Sequence, residues 1–525
     1  MINAKAAPCD EGAIRSIAAT GTCPEAAKPW VLVGTILGST ISYVDESIVN
    51  IALPTIERDL ATSAAVVQWL VNAYTLCLAA LLLIGGAAAD RFGRRKMFIV
   101  GVSIFAAASL FCGLSPNVAV LILARAVQGL GAALLIPCAL ALIGASFAED
   151  ERGRAIGTWA GFSAIAVAVG PILGGWIVDH FSWRWIFLIN PALALPAIWI
   201  ASRHIPESVD PLASGKLDWT GGMFALSGLA SICFGLIGAP DLGWTDARVI
   251  ASLAGGLVLV GAFLWTERHS AAPMLPLDLF RSRTFSAINL LTLLLYAALA
   301  AAFFFLPFAL IQVDGYSSLL AGAAFLPFTI IMALLSRWSG GLVDRFGARL
   351  PLVIGPTVVG VGFVLLALTV RAGGYWAFLA SLAVLGLGMA IAVAPLTTTV
   401  INAVPAHQTG VASGVNNAVA ALASLLAVAV GGAAALGFYD RSLDRELART
   451  SASAAVAQTV DAARGKFATA PLGKSDDVGD RAEASAIIKT SLAQSIDDIM
   501  LIAAALALGG AACGTLLPRS AERRT

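Results

Sequence analysis

Two adjacent acids lie within the first long apolar stretch of the sequence, where charged side chains are rare. They are Asp45 and Glu46, in the segment Tyr-Val-Asp-Glu-Ser-Ile-Val-Asn that ends at Asn50. A charged side chain at the centre of a membrane helix costs about 3 kcal/mol even on insertion-based scales, so such an acid is a candidate for function. Carboxyl groups at this depth can take up and release protons, which makes both residues candidates for proton coupling.

A single basic residue, Arg125, stands well inside an apolar stretch and could face these acids. At 1.5 Å per residue, Asp45 lies about 12 Å and Arg125 about 10 Å from the outer ends of their helices, so the two can meet at one depth. Neighbouring helix residues point about 100° apart, so Asp45 and Glu46 should face different partners. We favour Asp45 as the titrating acid and leave Glu46 open. A static ion pair that joins two helices is the alternative.

The composition places these residues in a membrane protein. Of the 525 residues, 58% are hydrophobic and 12% are charged, about half the charge of a typical soluble domain. The net charge of +1 gives no reason to expect a nucleic-acid partner. Fourteen apolar runs are long enough to span a bilayer as helices. These runs cover 30–53, 66–89, 97–115, 118–145, 155–178, 184–202, 220–240, 247–266, 285–311, 317–340, 350–371, 375–401, 409–436 and 496–517.

The basic residues predict the orientation of these helices. With the N-terminus inside, the inner connections hold 20 Lys and Arg residues and the short outer loops hold 4, which favours both termini in the cytoplasm. The expected organisation is a tail (1–29), a six-helix bundle (30–202), a linker with two extra helices (203–284), a second six-helix bundle (285–517) and a tail (518–525). Residues 437–495 are expected to form a long polar extracytoplasmic loop, in which 446–468 could form a surface helix or a docking site for a partner.

An eight-residue pattern at the inner end of the second helix recurs in the second half of the chain. The segment from Gly86 to Gly93, Gly-Ala-Ala-Ala-Asp-Arg-Phe-Gly, returns as Gly340 to Gly347, Gly-Gly-Leu-Val-Asp-Arg-Phe-Gly. Such repeats mark transporters whose two halves rock about a central site. We expect Gly86 to allow close helix approach and Gly93 a tight turn, in a cytoplasmic latch for alternating access; a merely basic loop is the alternative. The latch candidates are Gly86, Asp90, Arg91, Gly93, Arg94, Asp344 and Arg345.

Two further groups of residues have both a functional and a packing interpretation. The fifth helix contains Gly170, Pro171, Gly174 and Gly175, which could bend the helix or simply let a partner pack tightly. Polar residues in other helices could line a substrate cavity, although buried amides can equally join helices. These cavity candidates are Asn50, Tyr74, Gln128, Gln312, Asn416 and Asn417.

Other kinds of site receive no support from the sequence. Seven cysteines occur without a C-x-x-C pair, the four histidines fall at helix ends or loops, and no phosphate-binding G-x-x-x-x-G-K-[ST] segment occurs. We therefore expect no metal site, no cofactor and no enzyme activity, and a proton gradient as the energy source.

Several segments together resemble the major facilitator superfamily, and most of all its fourteen-helix drug–proton antiporter family. The resemblance covers roughly 30–436 and the last helix, and Trp69 also fits the pattern. It rests on Asp45 to Pro54, Gly86 to Lys96, Arg125 to Gly131, Gly157 to Gly175, Trp183 to Pro191 and Gln312 to Pro327. Departures are Ala166 in the fifth-helix pattern, Ala420 and Ala421 where many relatives carry an arginine, and the long 437–495 segment. No acid lies inside the ninth or tenth helix, which makes dicationic substrates less expected.

The resemblance implies an all-α fold of two pseudo-symmetric six-helix bundles with two extra central helices. It also implies a proton-coupled multidrug efflux antiporter in the bacterial plasma (inner) membrane, which exports small, partly hydrophobic molecules by alternating access. Its expected partners are the substrate, protons and the lipid bilayer, whereas nothing in the sequence supports a periplasmic adaptor protein. A proton-coupled symporter or permease for a metabolite is the alternative.

Overall fold

The computed structural model describes residues 26–209, 217–270, 273–404, 408–450, 452–466 and 478–518. All regular structure within these ranges is helical. Thirteen helices in the described ranges are long and apolar enough to cross a membrane. The expected all-α, multi-pass membrane architecture is therefore confirmed. The predicted tails at 1–29 and 518–525 lie almost entirely outside the described residues.

Six helices form a first bundle. They are α1 (Lys28–Asp59), α2 (Ala64–Phe92), α3 (Arg94–Gly113), α4 (Val118–Ser146), α5 (Glu149–His180) and α6 (Trp185–His204). Helix α1 packs against α4, α5 and α6, while α4 packs against α2 and α3. Close crossings fall at glycines, because a Cβ on Gly131 would lie 2.6 Å from the Phe105 backbone nitrogen of α3.

Helix α1 is the one predicted span that is missing from the thirteen apolar helices of the described ranges. Its 32 residues exceed the roughly 20 needed to cross a bilayer. Asp45 and Glu46 lie in its middle and lower its mean hydropathy. A total of fourteen membrane crossings therefore stays a prediction.

The second bundle begins after a 3-10 turn at Leu277–Arg281. Its helices are α9 (Arg283–Phe308), which ends in a π-helical turn (Ala309–Val313), α10 (Ser318–Ala323), α11 (Leu326–Gly340), α12 (Leu342–Phe346), α13 (Arg349–Ala372), α14 (Tyr375–Asn402), α15 (Thr409–Thr450), α16 (Ala454–Asp461) and α17 (Val478–Thr515). The helix predicted at 317–340 is divided into α10 and α11, because Pro327 starts a new helix and cannot donate to the preceding turn.

The segment predicted as a loop at 437–495 is largely helical. Helix α15 runs on to Thr450 and α17 already begins at Val478, so both ends were placed wrongly. Tyr439 and Leu443 are buried, and the Ser442 hydroxyl donates a 2.7 Å hydrogen bond to Gln494 of α17. The extension is amphipathic, so the helix continues past the point where uniform apolarity stops. Its extracytoplasmic location stays a prediction.

The two extra helices lie beside the seam between the bundles. They are α7 (Trp219–Leu242) and α8 (Ala247–His269), which pack closely against each other. Helix α7 also contacts α2 of the first bundle and α15 of the second. Direct contacts between the bundles join α2 to α15 and α5 to α10.

Candidate functional site

The structure brings together the two charged residues on α1 and α4. A guanidinium nitrogen of Arg125 lies 2.6 Å from Asp45 Oδ2, and neither side chain is more than 1% exposed. A pair buried to this degree needs good geometry and further hydrogen bonds to offset its lost hydration. The surroundings of both side chains supply those bonds.

Side chains from α4 and α6 complete the hydrogen bonding of the Asp45 carboxylate. Gln128 Nε2 donates to Asp45 Oδ1 over 2.8 Å and Asn190 Nδ2 donates to the same oxygen over 2.7 Å. The Asn190 amide also donates to the Ser109 hydroxyl at 2.9 Å, which in turn donates to the Phe187 carbonyl. We call Asp45, Arg125, Gln128, Asn190 and Ser109 the Asp45 cluster. The Arg125, Gln128 and Asn190 donors together satisfy both carboxylate oxygens of Asp45.

Arg125 is held by groups of its own besides Asp45. Its Nε donates to the Leu70 carbonyl at 3.1 Å, and its Nη1 donates to Gln128 Oε1 at 2.7 Å. The guanidinium carbon lies 4.4 Å from the centre of the Tyr74 ring, and the Tyr74 hydroxyl shares a 2.8 Å hydrogen bond with Ser42. The arginine therefore keeps hydrogen bonds and a cation–π contact if the carboxylate loses its charge.

Glu46 is exposed to a central cavity, whereas Asp45 is fully buried. The cavity has a volume of about 270 Å³ and is lined by residues of α1, α2, α4, α5, α9 and α15, and thus by both bundles. Glu46 is an accessible acid in its wall, while Arg125 lines it from the first bundle. The same guanidinium thus contacts Asp45 on one side and the cavity on the other. The other polar and aromatic lining residues are Tyr43, Ser47, Asn50, Tyr74, Thr75, Tyr296, Phe303, Phe304 and Ser424.

The predicted cavity residues divide into three groups. Asn50 and Tyr74 line the cavity. Gln128 does not, because its amide is used within the Asp45 cluster. The remaining three lie elsewhere in the second bundle: Asn416 is buried and donates to Asn289 and Thr292 of α9, Asn417 is exposed, and Gln312 lies in the π-helical turn.

Asn190 and Ser109 are site residues that the sequence did not single out as candidates. Both are uncharged residues in apolar helices, where an amide or hydroxyl often does no more than join two helices. The available signal was Asn190 within the Trp183 to Pro191 segment, which contributes to the family resemblance. Nothing comparable distinguishes Ser109 from other serines.

The first copy of the repeated loop is fastened by an acid outside the repeat. Asp90 pairs with Arg94 at 2.8 Å, and the Glu207 carboxylate accepts hydrogen bonds from the backbone nitrogens of Arg95 at 2.9 Å and Lys96 at 3.1 Å. Gly93 has a φ of +106°, a backbone conformation that residues with a side chain rarely adopt. A Cβ at Gly93 would also lie 2.7 Å from the Glu207 carboxyl carbon.

Close helix approach at this loop depends on Gly85 and not on Gly86. A Cβ on Gly85 would overlap the Ala133 carbonyl of α4, whereas one on Gly86 would make only an ordinary contact with Pro137. The repeat pattern identified the correct turn of the helix but not the residue that faces α4. Arg91 is exposed, with its guanidinium 5.3 Å from the Phe92 ring.

The second copy shares the turn of the first. Gly347 has a φ of +72° and Arg345 is exposed. The side chain of Asp344 lies outside the described residues. A latch role for either copy stays a prediction.

The fifth-helix glycines lie at contacts with α1 and α10. A Cβ on Gly170 would overlap Ser47, one on Gly174 would lie 3.1 Å from Ile48, and one on Gly175 would overlap the Ser318 backbone of the second bundle. Pro171 of the same segment presents its carbonyl to Gly322 of α10. The packing interpretation therefore accounts for these residues, and a bend in α5 stays a prediction.

Just beyond these glycines, an acid joins the two bundles. The Asp179 carboxylate accepts hydrogen bonds from the backbone nitrogens of Ser318 at 3.0 Å and Leu319 at 2.8 Å, at the start of α10. An acid at a helix N-terminus is favourable because it satisfies free N–H groups. In this conformation α5 and α10 thus close the bundles together at the predicted outer side. Within the described ranges, no group of three or more His, Cys, Asp or Glu side chains is arranged to hold a metal ion.

Comparisons with known proteins identify a family and relatives that share this sequence pattern and fold. Residues 35–428 match the family model of the Major Facilitator Superfamily. The chain is 34% identical over 420 residues to the multidrug resistance protein Stp of Mycobacterium tuberculosis, covering 80% of this chain and 78% of that protein. It is 33% identical to the tetracenomycin C resistance and export protein of Streptomyces glaucescens, covering 77% of this chain and 75% of that protein.

Solved structures share the fold at lower sequence identity. A bacterial homologue of the human lysosomal transporter Spinster, in an inward-facing and unoccupied conformation, has a TM-score of 0.63 at 16% identity and covers 93% of this chain and 98% of that one. A D-xylose–proton symporter has a TM-score of 0.56 at 14% identity, covering 77% of this chain and 90% of that one. The family match over most of the sequence and the resistance proteins at one-third identity agree with the resemblance in the motifs: this chain belongs to the Major Facilitator Superfamily.

Proposed function

We propose that this protein is a proton-coupled efflux antiporter that exports small, partly hydrophobic molecules by alternating access. The observation that carries the proposal is the position of Arg125, which pairs with buried Asp45 and also lines the central cavity. A change in the charge of Asp45 is therefore felt at the cavity wall.

The coupling step follows from this shared arginine. Protonation of Asp45 removes the partner charge of Arg125, so the guanidinium interacts more freely with Tyr74 and with the cavity. The net positive charge at the wall then rises, which weakens the binding of a cationic or electron-poor substrate. Deprotonation restores the pair and the substrate affinity. Proton binding and substrate binding thereby exclude each other, as antiport requires.

The membrane supplies the driving force in this scheme. The protein would lie in the bacterial plasma membrane with both termini in the cytoplasm. Protons would enter from outside down a potential worth about 2.3 kcal/mol per charge per 100 mV. The Asp179 contact closes the predicted outer side in the present conformation, and its release would open the cavity outward.

The substrate class is inferred from the cavity and from the relatives. Aromatic rings and one accessible acid, Glu46, line the cavity, which suits amphiphilic molecules. Relatives carry names for resistance to tetracenomycin C, methylenomycin A and puromycin. These antibiotics form a rational first panel. The alternative, import of a metabolite with protons, has the opposite direction of proton movement.

The test uses proteoliposomes that contain the purified protein, an imposed pH gradient and a pH-sensitive dye, with puromycin as the first probe. Antiport predicts that puromycin collapses the gradient, whereas symport makes protons and puromycin move in the same direction. Asp45→Asn should reduce puromycin-dependent proton flux to the level of empty vesicles. The matched control, Asp59→Asn, changes an exposed acid at the end of the same helix and should leave the flux intact.

A second substitution separates the two neighbouring acids. Glu46→Gln removes a charge from the cavity wall and leaves the hydrogen-bond partners of Asp45 in place, so proton coupling should persist with an altered KM for cationic substrates. Normal proton-coupled flux in Asp45→Asn would reject the proposed role of Asp45. Loss of coupling in Glu46→Gln alone would transfer that role to Glu46.

A further inference from the structure

A second pair of acids lies at the adjoining ends of the two extra helices, far along the chain from the Asp45 cluster. Asp218 precedes α7 and Glu267 lies in the last turn of α8. Glu267 is only 2% exposed, although it has no ion-pair partner among the described residues. Burying an ionised carboxylate to this extent without a partner costs free energy, so some other group must compensate its charge or the carboxyl must hold a proton.

Each carboxyl group uses one of its two oxygens on the backbone. Asp218 Oδ1 accepts a 2.8 Å hydrogen bond from the Gly221 nitrogen at the start of α7. Glu267 Oε2 accepts a 2.9 Å hydrogen bond from the Leu275 nitrogen, in the segment that leads to the second bundle. These bonds fix the orientation of both carboxyl groups.

The other two oxygens, Asp218 Oδ2 and Glu267 Oε1, are buried and have no hydrogen-bond partner among the described residues. Both approach the same glycine: Glu267 Oε1 lies 2.8 Å and Asp218 Oδ2 lies 2.9 Å from the position that a Cβ on Gly221 would occupy. Asp218 is also the charged neighbour that acts on Glu267 within the described part of the chain. Both unsatisfied acceptors thus lie beside the same point at Gly221, and neither can donate to the other when both are ionised.

We propose that Asp218 and Glu267 form a proton-binding site that holds one proton between them. With one proton bound, an O–H group of one acid donates to the carboxylate oxygen of the other, so both orphan oxygens are satisfied. Close carboxyl pairs share a proton in this way because both members cannot easily ionise side by side. The proton comes from and returns to water, and no bond between heavier atoms changes.

A proton fits this site better than a metal ion does. Calcium needs six to eight oxygen ligands and magnesium needs six, whereas the described residues offer the two orphan oxygens. Of the neighbouring charged groups on α8, Arg268 and His269 are exposed, and the His269 ring is bonded to the Trp265 carbonyl. Lys216 lies outside the described residues, so its role is addressed by the experiment.

The shared proton would fasten three parts of the protein to one another. It joins the start of α7 to the end of α8 and, through Leu275, to the segment that enters the second bundle. As the pH rises and the proton leaves, two carboxylates remain that repel each other, so the fastening is present at lower pH and lost at higher pH. This site is separate from the proposed coupling acid and does not depend on the proposed function.

The test is infrared spectroscopy of the purified protein in lipid vesicles at neutral pH. The spectrum should contain a protonated-carboxyl band that is absent from both Glu267→Gln and Asp218→Asn, because removal of either acid removes the shared proton. The matched control is Asp246→Asn, which alters the partly exposed acid that caps the other end of α8 and should retain the band. If only one of the two variants loses the band, or if neither does, a shared proton is ruled out.

Thermal melts at several pH values provide the second measurement. The melting temperature of the unmodified protein should fall as the pH rises above neutral, while that of Glu267→Gln should change less, because an amide N–H donates to Asp218 at every pH. A rise in melting temperature with added sodium or magnesium at constant pH, without the infrared band, would indicate a cation and overturn the proposal. A protonated-carboxyl band that appears only in Lys216→Gln would show that the lysine charge, and not a shared proton, compensates the acid pair, and would overturn the proposal. Puromycin-dependent proton flux in Glu267→Gln should match the unmodified protein.

Discussion

The first bundle holds its central polar residues in a charged cluster, whereas the second bundle holds its own in a neutral one. In the first, Asp45 and Arg125 form a fully buried ion pair that Gln128 and Asn190 complete. In the second, the Asn416 amide joins Asn289 and Thr292 across α9 and α15 without any charge.

The repeat in the chain preserves the fold but not the chemistry. At the offset that relates Gly86 to Gly340, the positions that correspond to Asp45, Arg125 and Gln128 are Leu299, Leu379 and Leu382. Leu299 and Leu382 belong to the apolar core, and the partly buried Leu379 packs against it. At these three positions the first half thus carries charged and amide side chains, and the second half carries leucines.

The substitution with the largest expected effect on the difference between the two bundles removes the arginine from the charged cluster. Arg125→Leu leaves the Asp45 carboxylate buried without its partner, and breaking a buried pair in this way costs about 3–5 kcal/mol. We expect a large loss of thermal stability at neutral pH that is partly recovered at acidic pH, where Asp45 is protonated. Denaturation curves of the purified protein over a pH series measure both effects.

The second bundle supplies the matched control for that substitution. Asn416→Leu removes two hydrogen bonds and leaves the Asn289 oxygen without its donor, at a cost of about 1–3 kcal/mol. Its stability loss should be independent of pH, since no charge is involved. The double variant Asp45→Asn with Arg125→Leu should regain stability relative to Arg125→Leu but show no proton coupling. Equal pH dependence of Arg125→Leu and Asn416→Leu would contradict the assignment of charge to one half.

The two copies of the repeated loop allow a second test of the difference between the halves, with smaller expected effects on stability. Both Gly93 and Gly347 adopt a positive φ, so alanine at either costs about 1–3 kcal/mol in backbone strain. At Gly93 the new Cβ also meets Glu207, which holds the Arg95 and Lys96 nitrogens. Gly93→Ala should therefore lower the melting temperature more than Gly347→Ala.

Glu207 provides the control for this difference. In a Glu207→Ala background the collision is gone, so Gly93→Ala and Gly347→Ala should cost similar amounts of stability. A difference that persists in that background would show that Glu207 is not its cause. Transport rates of the same four proteins test whether the fastened copy limits the conformational cycle.

The sequence was sufficient to find the charged pair, because depth along a helix is a simple function of residue number. It also predicted that Asp45 and Glu46 face different surroundings, since a helix turns by a fixed angle per residue. It did not predict Asn190 or Ser109, whose neutral side chains look the same in a site as in ordinary helix contacts. The prediction of Gly86 instead of Gly85 at the contact with α4 was wrong for a related reason. A sequence repeat locates a turn of the helix, but which residue of that turn faces α4 depends on how the two helices cross.

The predicted positions of the helix ends were wrong for a different physical reason. The apolar run of α15 stops near 436, yet the helix continues to Thr450 because Tyr439 and Leu443 still bury one face. A criterion based on uniform apolarity recognises lipid contact and not amphipathic contact with another helix. Glu207 was missed because it acts on backbone nitrogens, which leave no trace in a side-chain pattern.

The smallest expected effect concerns Asp314, an acid of the second bundle that lies beyond the end of its membrane helix. Burial raises the pKa of the Asp314 carboxyl above its ordinary value, while Lys489 opposes that shift. A raised pKa means that the folded protein binds this proton more tightly than the unfolded chain does. The associated stability is therefore present at low pH and is lost as the pH rises through the raised pKa.

Asp314→Asn should remove this pH dependence because the amide does not titrate. At neutral pH the variant should be as stable as the unmodified protein or more stable by about 0.5 kcal/mol, since the group is only partly buried and solvent screens it. Melting temperatures between acidic and neutral pH measure the effect. Asp314 has Lys489 as its opposing charge at a partly buried position, whereas Asp45 pairs with Arg125 inside a fully buried cluster. A variant that is less stable at neutral pH would show that the attraction to Lys489 exceeds the effect of burial. Asp314 would then be an acid that a basic partner stabilises, as Arg125 does for Asp45, and the contrast between the two halves would be contradicted.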